Sequence, residues 1–132
     1  MGRRPPANPV QVYGPPAPVR VTGQPAVPFV VSVTNAGASN LNVTAINYVL
    51  STFNLGYYFF HYDGIVDGKI ISANPCSSSL TVLTPRAGCD VVMTFKTSGG
   101  TGTVSGGIEI PVFSASDGIN RTGFVPVTQV IQ

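Results

Sequence analysis

Charge is the scarcest feature of this 132-residue chain. Seven basic and five acidic side chains make up 9% of it, where an ordinary soluble protein carries about a quarter. Such a surface is short of the groups that keep copies apart in solution, so part of it is expected to be covered by partners. The basic residues Arg3, Arg4, Arg20, Lys69, Arg86, Lys96 and Arg121 are scattered, and scattered cations form no stripe along which a nucleic acid would track. The single histidine, His61, and the five acids Asp63, Asp67, Asp90, Glu109 and Asp117 fall in turns or on separate strands. They give no converging acid, base and nucleophile, so the chain does not read as an enzyme. A lone histidine without an acidic cluster at ligand spacing reads as packed or surface imidazole rather than as a metal ligand. No cofactor and no small-molecule substrate are expected.

Other absences narrow the reading further. There is no run of about 18 apolar residues, so no helix spans a membrane. No segment longer than a turn shows a 3.6-residue period, which argues against amphipathic helices. Arg3 and Arg4 are not followed by an apolar stretch, as a secretory or twin-arginine leader requires, so export by a standard route is not expected. Met1-Gly2 is followed by Arg3-Arg4 and then Pro5-Pro6, and position six is not Ser or Thr, which does not fit an acylation signal. The sequons at Asn42 and Asn120 then read as chance in a Thr/Asn-rich chain.

Proline is plentiful and unevenly placed: eight of the twelve fall at or before Pro28. Proline fixes φ and lacks a donor, so residues 1–27 read as an extended, polyproline-like arm. Its short alternating pieces, Val10-Gln11-Val12-Tyr13 and Val19-Arg20-Val21, are candidates for addition to a sheet edge of a neighbour. Residues 28–132 read as one β domain. Pro28–Ile46, PFVVSVTNAGASNLNVTAI, reads as strand, tight turn, strand: period-two alternation gives each strand one apolar face, and Asn35–Asn40 supplies the reversal. Leu41–Leu50 then reads as one long strand. Tyr57-Tyr58-Phe59-Phe60-His61-Tyr62 sets five aromatic rings on both faces of a strand, so one set fills the core while Tyr57, Tyr58, Phe59 and Tyr62 are the candidates for an interface. Cys89, Val91, Met93 and Phe95 mark a core strand. Val104–Phe113 is expected to be broken by a bulge at Gly106-Gly107 and closed by Pro111. Thr122–Ile131 ends the chain as a strand. Turns about every ten residues are the signature of a sandwich.

Two blocks taken together resemble a known family. VSVTNAGASNLNVTAI (31–46), followed by Cys76 and LTVLTPRAGCDVVMTFKTSGGTGTVSGGIEI (80–110), is similar to the bacterial Hydin-type immunoglobulin-like domains, relatives of the PapD-like and major-sperm-protein sandwiches. The match runs through Val33, Asn35, Gly37, Leu41 and Val43 and then through Pro85, Cys89, Val91, Met93 and Phe95. Lys96 follows Phe95 where the family pattern reaches a proline, and the aromatic run is heavier than the family's. The resemblance implies an antiparallel immunoglobulin-like β-sandwich with no shared active site. It also implies that Cys76 and Cys89 can pair, which for so short a loop would contribute roughly 3 kcal/mol; two reduced thiols are the alternative in a reducing compartment.

Two functions from different classes follow as expectations. The first is a structural virion protein: a cement or decoration protein on the exterior of a bacteriophage capsid, made in the host cytoplasm. Its arm residues Arg3, Arg4, Val10, Val12, Tyr13, Val19, Arg20 and Val21 would lie on the major capsid protein, on other virion subunits, or on a second copy of the chain in a homo-oligomer. The second is an immunoglobulin-like binding or adhesion module of a bacterial surface or periplasmic system, which predicts a cleaved leader and a formed Cys76–Cys89 bond.

Overall fold

The computed structural model describes residues 8–51, 54–77, 80–115 and 117–132. Eleven strands are present among them: β1 (Val10–Tyr13), β2 (Phe29–Asn35), β3 (Leu41–Val43), β4 (Asn47–Leu50), β5 (Gly56–Phe60), β6 (Ile65–Val66), β7 (Lys69–Ile70), β8 (Thr81–Leu83), β9 (Gly88–Thr97), β10 (Gly102–Ser114) and β11 (Asn120–Ile131). They form two antiparallel sheets and a small hairpin. The four-stranded sheet runs β1-β2-β9-β5; the five-stranded sheet runs β11-β10-β3-β8 with β4 also on β10; β6 and β7 pair with each other. The fold is therefore an all-β sandwich, as the alternation and turn spacing predict.

The core lies between the two sheets. Val31, Val33, Tyr58, Val91, Met93 and Phe95 come from one side, and Leu41, Val43, Val104, Ile108, Ile110, Val112, Val125 and Val127 from the other. Each fully buried Val, Ile, Leu or Phe contributes about 1.5–3 kcal/mol, and β11 shows the underlying alternation without a break, with every odd position from Gly123 to Ile131 buried.

Four expectations are corrected. First, Phe29–Val43 is not a hairpin. β2 and β3 belong to different sheets, so Asn35–Asn40 is an arch that carries the chain across the sandwich. Asn35 makes it one: its side chain is fully buried, donates from Nδ2 to the carbonyls of Ser39 (2.8 Å) and Leu83 (2.9 Å), and accepts the Gly37 amide at 2.9 Å. Second, Leu41–Leu50 is two strands. Val43 faces Val112 while Asn47 faces Glu109, so four steps on one side match three on the other, and the extra residue is a bulge. Third, that bulge lies opposite β10 and not within it. Thr44 donates to the Pro111 carbonyl from both its amide (3.0 Å) and its hydroxyl (3.1 Å). Pro111 does not close β10, because its missing donor faces the gap between β3 and β4. Gly106 and Gly107 are instead sites of close approach: a Cβ on Gly106 would lie 1.8 Å from the Val49 carbonyl oxygen, and one on Gly107 would lie 2.3 Å from the Phe124 ring.

The fourth correction concerns the arm. From Asn8 on, the Pro-rich segment lies on its own sandwich. Val10–Tyr13 is the edge strand β1, paired with Ser32–Asn35, and Val10 is only 4% exposed. On both sides of β1 the chain follows the outer edge of β11: before it Asn8 Nδ2 bonds the Thr122 carbonyl; after it Gln129 Nε2 donates to the Pro18 carbonyl at 2.9 Å, Arg20 forms a bridge with Ile131, and the Thr22 amide bonds the Gln132 carbonyl. A twelve-residue edge strand is a ready template for another chain. Here the same molecule covers it, and proline suits that task because it blocks further pairing.

Candidate interaction surfaces

Of the residues expected to bind a partner through the arm, Arg3 and Arg4 lie outside the described residues. Val10 and Val12 pack into or against the core. Arg20 is occupied: its Nε donates to the Phe95 carbonyl at 3.0 Å and one terminal nitrogen to the Gln24 carbonyl at 2.7 Å. The reason is local, since β2 starts at Phe29 opposite Met93 and leaves the Phe95 carbonyl without a partner on that side. Tyr13, at 71% exposed, and Val19 and Val21 do face solvent.

The aromatic strand divides as alternation requires. Tyr58 is 1% exposed and packs edge-on against Phe29, Tyr48 and Phe95. It is therefore core and not interface, and burial raises its phenol pKa far above the usual value. Its hydroxyl points at Gln129 Oε1, 3.4 Å away. Tyr57 and Phe59 face outward and are exposed, as is Tyr62. Lys96 Nζ stands 6.0 Å over the Tyr57 ring. His61 packs edge-on against Phe59 and shares a 2.8 Å hydrogen bond with the Thr94 hydroxyl.

Cys76 and Cys89 form a disulfide. It ties down residues 61–77, which leave the end of β5 and return to the same flank of β9: the His61 amide bonds the Val92 carbonyl, and further along the Cys76 amide bonds the Asp90 carbonyl. Asp90 reinforces the return by accepting from the Ser72 hydroxyl at 2.8 Å and the Ser32 hydroxyl at 3.3 Å. Sequence reasoning gave Asp90 no role, because nothing in a lone acid at a strand start announces two distant serines.

The outer face of the five-stranded sheet was also not singled out from the sequence. Registers place Val82, Asn42 and Phe113 in one row, Asn47, Glu109 and Phe124 in another, and Val49, Gly107 and Pro126 in a third. Val49, Val82, Phe113, Phe124 and Val130 are all exposed. Among the described outward positions of this face Glu109 is the only charge. Arg121 belongs to the opposite parity of β11 and pairs with Asp117, whose carboxyl is held below its usual pKa by the Ile119 amide and then by Arg121. Among the described residues no group of three or more His, Cys, Asp or Glu is placed to hold a metal. One surface cleft is lined by Ala36–Ala38, Pro85 and Arg86, another by Gly14–Ala17 and Pro126–Thr128; neither set contains a paired acid and base.

No protein-family model matches the chain, and no curated protein matches it. Solved structures do. The PapD-like domain 7 of human CEP192 superposes with a TM-score of 0.54 at 15% identity, covering 99% of this chain and 89% of that one. The Vibrio cholerae VesB protease gives 0.51 at 12% identity, covering 93% of this chain but 32% of the protease. At these identities the likeness is one of fold: the chain has a PapD-like, immunoglobulin-like β-sandwich.

Proposed function

We propose that this immunoglobulin-like sandwich is a structural protein that works by surface contact, a cement or decoration protein on the exterior of a bacteriophage capsid. Its partner would be the major capsid protein or another virion subunit. The observation that carries this reading is the outer face of the five-stranded sheet, where Val49, Val82, Phe113, Phe124 and Val130 are exposed among neutral polar residues and one charge stands among the described positions. Apolar area at about 25 cal/mol per Å2 is what joins subunits, and a patch of this kind marks a contact surface more often than a bare one. The contact therefore moves from the arm to a face, because residues 8–22 are used in covering β11. Arg3 and Arg4 keep their expected role toward acidic groups on the shell.

A second reading, a binding or adhesion module of a bacterial surface or periplasm, is favoured by one observation, the Cys76–Cys89 bond, since such bonds persist in oxidising compartments. The test is fractionation of the native host. Density-gradient banding with intact particles at a fixed copy number supports the capsid role. Recovery in the periplasmic or cell-surface fraction, with none in the particle band, rejects it.

A further inference from the structure

The sandwich has covered or shortened most of its sheet edges. β11 lies under the proline segment, and β1 is four residues long, flanked by Pro9 and Pro15, and packed against β11, where a Cβ on Gly123 would meet Val12 at 2.5 Å. β8 and β4 have three and four residues. β5 is different. Its five residues, Gly-Tyr-Tyr-Phe-Phe, hold no charge and no proline, which are the usual devices against edge pairing.

The backbone of β5 is half used. Hydrogen bonds from the Ser98 amide to the Leu55 carbonyl and from the His61 amide to the Val92 carbonyl bracket its register with β9. Backbone groups alternate in direction along a strand, so residues 55, 57, 59 and 61 face β9. Tyr58 and Phe60 then direct both N–H and C=O away from the sheet. Among the described residues no backbone hydrogen bond engages either one.

We infer that the free edge of β5 pairs antiparallel with the β5 edge of a second copy of this chain, centred on Phe59, joining two four-stranded sheets into one of eight. The register follows from the alternation. Tyr58 and Phe60 of one copy exchange hydrogen bonds with Phe60 and Tyr58 of the other, four bonds in all, which pairs every exposed donor and acceptor of these two residues; Gly56, of the same parity, lies beyond the paired segment. The same patch serves both copies, as two-fold symmetry requires. Phe59, 47% exposed, meets its symmetry mate across a non-hydrogen-bonded position, where side chains are closest and aromatic pairs attract. No charge on β5 opposes the approach, and Lys96 is one strand further back in each copy.

Size sets the strength. Five residues of strand span about 17 Å, and two layers of sheet set about 20 Å of depth, so each copy buries roughly 350 Å2. A total near 700 Å2 is small for a specific contact, and the pairing is accordingly weak and reversible, with Kd of about 10–500 μM. The inference deepens the reading of the chain as an assembling structural module.

Sedimentation equilibrium from about 10 μM to about 1 mM, a range that brackets this affinity, tests it. A monomer–dimer transition is expected, and Phe59→Glu, which sets like charges opposite each other, weakens it at least about tenfold. Phe59→Cys reports register independently: Cα atoms about 4.5 Å apart at such a position suit a disulfide, so mild oxidation yields covalent dimers much faster than Tyr13→Cys on the far edge of the same sheet. A monomer at every concentration overturns the inference. So does a dimer that Phe59→Glu leaves intact, or Phe59→Cys crosslinking no faster than the Tyr13→Cys control. A monomeric protein that still bands with particles refutes the pairing and leaves the capsid role standing.

Discussion

Asn35→Ala is the most informative single change, because three hydrogen bonds end on one fully buried amide. The carbonyls of Ser39 and Leu83 lose their donors and the Gly37 amide loses its acceptor. The Leu83 carbonyl is the buried one, and stranding it costs about 1–3 kcal/mol; the other two sites are nearer solvent and cost about 0.5–1 kcal/mol each. The expected loss is therefore about 2–5 kcal/mol, a large fraction of the roughly 5–15 kcal/mol that holds a domain of this size. Urea unfolding followed by far-ultraviolet circular dichroism reads it as a lowered midpoint with an unchanged slope, since the folded surface is the same. Asn35→Asp separates the two halves of the argument. It retains an acceptor for Gly37 but turns a carboxylate toward two carbonyl oxygens, so it is expected to be as damaging as alanine at neutral pH. A loss below about 1 kcal/mol for Asn35→Ala would show that the arch is held by its backbone bonds alone, and the account given for Asn35 would be wrong.

Three other outcomes are expected. Gly106→Ala forces the Val49 carbonyl oxygen out of the 1.8 Å position it holds against the new Cβ; a backbone shift within a packed sheet costs about 1–3 kcal/mol, read by thermal unfolding, and a neutral result would mean that β4 is not held at its register. Replacing Cys76 and Cys89 together by alanine removes a 13-residue link and about 3 kcal/mol. Its mark should be faster hydrogen exchange in residues 61–77 than in β10, and uniform change across the chain would contradict a local role. Tyr58 keeps its proton in the fold well above the free value of 10.0 because burial penalises the phenolate. Its contribution is thus complete below pH 10 and drains away as pH rises past that value, since only the unfolded chain then loses the proton. Tyr58→Phe should flatten the alkaline limb of the stability profile, and an unchanged limb would assign it to other groups.

How much was legible depended on how far each signal reached along the chain. The rings of Tyr57–Phe60 show the contrast: their alternation announces a strand with one face inward, but only the register with β9 tells that Tyr58 is the inward ring. The Asn35–Asn40 turn was legible as a turn and misread as a hairpin, because turn chemistry is local and the sheet a strand joins is not. Proline richness in residues 8–28 was legible as extended backbone. That it lies on β11 is decided by the Gln129, Thr122 and Ile131 backbone and side-chain bonds, more than 100 residues away. The outward set of Phe113, Phe124, Val49 and Val82 was invisible for the same reason, since its members come from four strands.

The sequence by itself determined the class of fold and the pairing capacity of each strand. Period-two alternation, punctuating glycines and asparagines, and the shortage of charge act over a few residues, and they survive in any arrangement of the strands. Tertiary structure alone decided which sheet each strand joins, which edge is covered and which is left open, and which apolar residues form a face. Those depend on distances between residues far apart in the chain, and main-chain hydrogen bonds carry no side-chain label by which such partners can be read.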